Sequence, residues 1–251
     1  MGDEGRNCCQ TACSIAEAGY DGFASYGGIM TVSRRQFVGA AAAGLLTAVS
    51  PDLLRSSQPQ AQSPLTPDEA LKELMDGNER FASGRMTSFE HDLKILKEHN
   101  VDKQEPFAAV LSCADSRVPV ELIFDQTIGH IFVTRVAGNL VTPEIIGSLE
   151  YGAAVLGTKV ILVLGHAGCG AVKAAIQGKA VPGQISSLFP HIQPAVDQAG
   201  ADLVAATKAN AEIQARLLRE SSPVIAPMVK DSKLKVVAGV YDIATGKVTL
   251  A

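Results

Sequence analysis

The sequence predicts an α/β fold, a single domain with a mostly parallel β-sheet flanked by helices. Three observations carry this. Short unbroken apolar runs, "PFAAVLSC" (106–113), "HIFVTR" (130–135) and "KVILVLG" (159–165), have the length and composition of strands buried on both faces. Segments of helical periodicity alternate with them, as a parallel sheet built through crossover connections requires. No internal repeat divides the chain, and 251 residues, 47% hydrophobic and 19% charged, suit one domain with a sizeable core and an added extension.

From the N-terminus, residues 1–29 are Gly-rich without periodicity and read as a non-native or disordered extension, with Met30 as the true start. Their Cys8, Cys9 and Cys13 follow no established metal-binding spacing. Residues 30–61 read as a twin-arginine-type signal peptide and linker. Ser33-Arg34-Arg35-Gln36-Phe37 leads into an apolar run from Phe37 to Val49, too short to span a bilayer comfortably, and the polar stretch "RSSQPQAQSPL" follows. Cleavage at Ala61 is the expectation, with export to a periplasm or thylakoid lumen, no stable membrane insertion, and a mature domain of 62–251.

That domain opens on "TPDEALKELMDGNERFASG" (66–84), a helix with Thr66 as N-cap, Pro67 at its first position and Glu69 closing a capping box. A second helix is expected over "HDLKILKEH" (91–99). After the first two strands, "TPEIIGSLEYGAAVLG" (142–157) is helical with Pro143 near its start. Beyond the third strand, "GAVKAAIQG" (170–178) and the long amphipathic "ADLVAATKANAEIQARLLRES" (201–221) are helices. "KLKVVAGVYDIATGKVTL" (233–250) closes the chain as two strand segments around the turn "ATGK".

A net charge of −4 and a pI near 5.7 give no electrostatic reason to expect nucleic acid as a partner. Chemistry points elsewhere. In open α/β sheets ligands gather outside the carboxyl ends of the strands. Cys113 ends the run "FAAVLSC", and His166 and Cys169 directly follow "VILVLG". If those strands are parallel neighbours, two cysteines and a histidine meet at one edge. That is a zinc set with a fourth position open, which marks a catalytic rather than a structural site. Asp115 and Arg117 follow Cys113 in "CADSR". A carboxylate beside the metal can ligate it, or accept a hydrogen bond from its water. An arginine gripping both oxygens would hold the carboxylate off the metal and keep it ionised. Taken singly, each residue also has a plain structural explanation, and a Cys113–Cys169 disulfide is the main rival.

"SCADSRVPVELIF", "FVTRVAGN" and "GHAGCGAV", in this order and spacing, resemble the β-class carbonic anhydrases, and the likeness runs from about residue 66 to the end. The resemblance implies the β-carbonic anhydrase fold, with Zn2+ on Cys113, His166 and Cys169, and Asp115–Arg117 as the catalytic dyad. Asp115 is implied as a fourth ligand only in an inactive state. It implies CO2 hydration to bicarbonate and a proton, by attack of a zinc-held hydroxide. Gln104 matches a glutamine that reaches substrate across a dimer interface in plant-type members, and a homodimer or higher homo-oligomer follows. Gly170 matches the residue whose amide faces bicarbonate, and Phe132, Ala137 and Tyr151 match the apolar CO2 pocket. Ala137 is smaller than the usual valine, and Val155 stands where some plant members have a proton-carrying residue. Val110 occupies the position of a tryptophan that serves a second bicarbonate site in some bacterial members. The chain has no tryptophan.

Three other functions compete: a carbon disulfide or carbonyl sulfide hydrolase with the same metal set, an inactive zinc-stapled interaction protein, and a nucleotide-binding module. Glycine order in "GHAGCG" speaks against the last.

Overall fold

The computed structural model describes residues 63–87, 94, 101 and 103–251. The extension 1–29, the signal and linker 30–61 with Ala61, and the helix expected over 91–99 (Lys94 apart) lie outside the described residues.

One five-stranded sheet organises the domain, in the order β2-β1-β3-β4-β5. Its strands are β1 (Ala108–Ser112), β2 (Ile131–Arg135), β3 (Val160–His166), β4 (Lys235–Tyr241) and β5 (Val248–Leu250). The first four are mutually parallel, and β5 turns back antiparallel to β4. The turn between β4 and β5 is held by Asp242, whose carboxylate accepts from the Ala244 amide and the Thr245 hydroxyl.

Alternation along the central strands builds two cores. Val110, Leu162 and Leu164 point to one face. There they meet Ala70 and Leu74 of α1 (Pro67–Ala82) and Val120 and Ile123 of α2 (Val120–Ile123). Leu111, Ile161 and Val163 point to the other, against Ala211, Ala215 and Leu218 of α6 (Leu203–Ser221) and Ile225 of α7 (Ile225–Lys230). With both faces covered, β1 and β3 are buried at every residue, which explains why they read as unbroken apolar runs. Each leucine or isoleucine fully buried this way contributes about 1.5–3 kcal/mol.

The capping box at the head of α1 is present as expected: the Thr66 amide donates to Glu69 (2.8 Å), and the Glu69 amide donates to the Thr66 hydroxyl (3.3 Å). Inside α1, Asn78 ties the helix to the end of α2, the β4–β5 turn and the start of β5. Its amide nitrogen donates to the carbonyls of Ile123 (3.1 Å) and Gly246 (2.9 Å), and its oxygen accepts from the Val248 amide (2.8 Å).

The helix expected over 142–157 divides. An α-helix, α3 (Pro143–Glu150), passes into one π-turn at Tyr151–Val155. Gly152 lies in that turn, where an added Cβ would come within 3.2 Å of the Phe132 ring. α4 (Gly170–Gln177) ends at Gly178 in the left-handed conformation (φ 58°). Four further elements were not expected: α2, a 3₁₀ segment Gly183–Leu188, α5 (Phe189–Ala199) and α7. The last two carry prolines that read as breakers. Pro190 falls in the first turn of α5, where no backbone bond is lost, and Pro194 inside α5 costs a single backbone bond. No helix of the described residues is long and apolar enough to cross a membrane.

Candidate metal centre

The sheet register decides where the ligands fall. Ser112 of β1 lies opposite Leu164 of β3, so Cys113 leaves its strand beside the end of β3, which His166 closes. Three residues on, Cys169 is the N-cap of α4. The strand thus extends one residue further than expected, and His166 is part of it.

Cys113, His166 and Cys169 offer ligand atoms that all lie within 4.8 Å of one another. They are 5%, 0% and 0% exposed. Both cysteines are free thiols, which excludes the disulfide. His166 Nδ1 lies 3.1 Å from the Ala167 carbonyl, an acceptor only, so this nitrogen carries the proton and Nε2 presents a lone pair. That Nε2 is buried and has no hydrogen-bond partner. An orphaned acceptor aimed at two thiols fits a soft divalent cation, and the Cys2His set suits Zn2+.

The thiols interact strongly. Cys113 is pulled down from the usual thiol range, chiefly by the hydrogen bond from Cys169, with burial opposing and His166 and the amides of Gly138 and Asp115 assisting. The same bond, then burial, push Cys169 up, while the amides of Val172 and Ala171 oppose them. The two sulfurs are thus coupled through one shared hydrogen bond, and a cation held between them would displace that proton.

Asp115 and Arg117 form the predicted clamp. Arg117 Nε donates to Oδ1 (2.9 Å) and Nη2 to Oδ2 (2.8 Å), and the Arg117 amide adds a third bond to Oδ1 (2.9 Å). These bonds, the side-chain ones foremost, hold the Asp115 carboxyl well below the usual carboxylate range. Asp115 Oδ2 stands 3.9 Å from His166 Nε2, beside the ligands rather than among them.

Of the remaining predicted residues only Gly170 and Ala137 fall at this edge; Phe132, Tyr151 and Gln104 lie toward the amino-terminal end of the strands, away from the triad of the same chain. Gly170 is exposed at the head of α4, and Ala137 is half-buried in the loop after β2. Phe132 and Tyr151 have ring centroids 6.3 Å apart, with Tyr151 45% exposed. Gln104 is exposed ahead of β1.

Sequence reasoning missed Arg135, which closes β2. It donates through Nε to the Cys113 carbonyl (3.0 Å) and through Nη2 to the Asp115 carbonyl, so it grips the loop between ligand and dyad. It also missed the Gly138 amide, which donates to Cys113 Sγ (3.3 Å). Arg135 was visible only as the polar end of an apolar run.

The "Carbonic anhydrase" family model matches residues 108–248. Carbonic anhydrase 2 of Mycobacterium tuberculosis is 39% identical over 138 residues, 52% of this chain and 64% of its own length. The chain therefore spans less than two thirds of that relative. A carbonic anhydrase of Pseudomonas aeruginosa is 31% identical over 199 residues, 71% of this chain and 86% of its own. Among solved structures, a tetrameric β-carbonic anhydrase from Sordaria macrospora superposes with a TM-score of 0.58 at 22% identity, covering 72% of this chain and 96% of that one. With the family model spanning more than half of the chain, and the sheet of the expected α/β type, this protein belongs to the carbonic anhydrase family and has the β-class fold.

Proposed function

We propose that the chain catalyses the reversible hydration of CO2 to bicarbonate and a proton. The observation that carries this is the buried Cys113–His166–Cys169 triad with the Asp115–Arg117 clamp beside it. Zn2+ held by the triad would supply a Lewis acid that makes a nucleophile from water at neutral pH. The protein does the rest. Asp115, kept ionised by Arg117, accepts a hydrogen bond from the attacking water and orients it. The Gly170 amide at the positive end of α4 suits negative charge developing on oxygen.

The test is CO2 hydration by residues 62–251 with carbon disulfide and carbonyl sulfide as competing substrates, measured across pH. Asp115 is already ionised throughout the neutral range, so it adds no step there. The expected fall toward acid is a single titration of the attacking water, on the alkaline side of neutral. A steep multi-proton fall that bicarbonate deepens would overturn this account of the dyad, and turnover of the sulfur substrates alone would overturn the substrate.

A homodimer or larger assembly belongs to the same proposal. Gln104, Tyr151 and Val155 are exposed toward the amino-terminal end of the strands, away from the triad of their own chain, so Gln104 would serve substrate only at the site of a second copy, and the native mass in solution reads the state. Export by the Arg34–Arg35 signal is proposed on the sequence motif. Replacing both arginines by lysine is expected to retain the precursor inside, and normal export of that variant would refute it.

A further inference from the structure

We infer that Asn210 and Gln214 are positioning residues for the metal centre, acting through the Gly138 turn. This rests on the proposed metal reading and deepens it. Asn210 and Gln214 stand one turn apart on α6 and are 1% and 0% exposed. Long polar side chains at such burial need partners, and theirs lead in one direction. Asn210 Nδ2 donates to the Gly138 carbonyl (2.9 Å). Gln214 Oε1 accepts from the Val141 amide (2.8 Å), and its Nε2 donates to Asn210 Oδ1 (3.3 Å) and to the His191 carbonyl (3.0 Å). The two amides thus hold both ends of the segment 138–141 and fasten it to α5.

That segment needs holding. Gly138 (φ 80°) and Asn139 (φ 48°) are consecutive left-handed residues, the second one non-glycine, and such backbone persists only where its surroundings fix it. A Cβ at Gly138 would lie 3.2 Å from Ile192 and 3.4 Å from Ala171, so the turn is wedged between α5 and α4. The Gly138 amide aims at Cys113 Sγ, at 3.3 Å. A hydrogen bond to a ligating sulfur draws charge from it and fixes its direction. The path from α6 to the ligand is therefore Gln214, Asn210, the Gly138 turn, Cys113.

The experiment uses the full chain loaded with Co2+, comparing wild type, Asn210→Leu and Asn78→Ala. Asn78 is a comparably buried amide (3% exposed) that ties α1 to the end of α2, the β4–β5 turn and β5, away from α6, so it controls for loss of stability alone. The readouts are the thiolate-to-cobalt charge-transfer band, the rate of metal release to a chelator, and thermal midpoint. Asn210→Leu is expected to shift the band and speed release by about 10-fold or more, in line with other outer-shell metal partners. Asn78→Ala should lower the midpoint and leave band and release unchanged. Gln214→Met, which leaves Asn210 in place, takes over if Asn210→Leu does not fold, with the same expectations. An unmoved band and release rate in the folded variant, or equal changes in Asn78→Ala, would overturn the inference. A wild-type chain that takes up no cobalt overturns the metal reading and this role together. A cobalt-loaded wild type without CO2 hydration, but with the band shift in Asn210→Leu, overturns the activity alone and supports the positioning role.

Discussion

Cys169→Ser is expected to lose metal and activity together. The purified wild-type domain should carry about one zinc per chain, and the variant less than a tenth of that. Cys169 is wholly buried at the head of α4, with its sulfur in the ligand cluster. A serine hydroxyl at that position is smaller and far harder to deprotonate, and it offers a soft cation little. Two ligands would remain, too few to hold the ion against dilution. The fold should survive, because the cores on the two faces of the sheet do not depend on this sulfur. Metal analysis, CO2 hydration and a denaturant midpoint on one preparation check all three statements. A variant that kept stoichiometric zinc would remove Cys169 from the ligand set.

Asp115→Asn is expected to keep the metal and lose about 10²-fold in kcat/KM, the scale on which a positioned proton acceptor contributes. The clamp shows why. Arg117 donates to both carboxylate oxygens, whereas an asparagine turns an NH2 toward one of those donors. It also loses the charge that accepts from water. The pH argument has a definite sign. The folded Asp115 carboxyl is depressed below its ordinary value, so its contribution to stability is fully present above that value. It is lost only as acid reaches the folded one. The residual activity of the variant should therefore keep the wild-type pH profile through the neutral range while falling in height. Zinc content measured alongside separates the cases: full activity would dismiss the dyad, and loss of metal would make Asp115 a support for the site rather than a participant in the reaction.

Most of the architecture was legible because it is local. Strands covered on both faces need apolar residues at every position, and "AAVLS" and "VILVLGH" show just that. The capping box announces itself within four residues. The clustering of Cys113, His166 and Cys169 and the Asp115–Arg117 pair were legible because these residue types stand at strand ends. α5 was not, since Pro190 and Pro194 mask its periodicity. The π-turn at Tyr151–Val155 was hidden as well, because its sequence is ordinary helix sequence and the packing of Gly152 under Phe132 is tertiary. Arg135 was also hidden, as its partners are backbone carbonyls that carry no residue signature. On α6 a signal did exist. Thr207, Asn210 and Gln214 form an uncharged polar stripe that is buried, while Lys208 and Glu212 are exposed on the helix surface.

The parallel register of β1 and β3 also bears on how the molecule folds. Cys113 and His166 are far apart in sequence and meet only once these two strands are aligned, Ser112 against Leu164. A slip of one residue would turn the side chains of β1 to the opposite face. Such non-local strand pairing is slow, because the intervening loop must close before any contact rewards it. Cation capture at the proposed site would thus be a late event in refolding that only correctly aligned chains can complete. On the proposed metal reading the centre would act as a proofreader of strand alignment, leaving misregistered molecules without the stabilisation that binding brings.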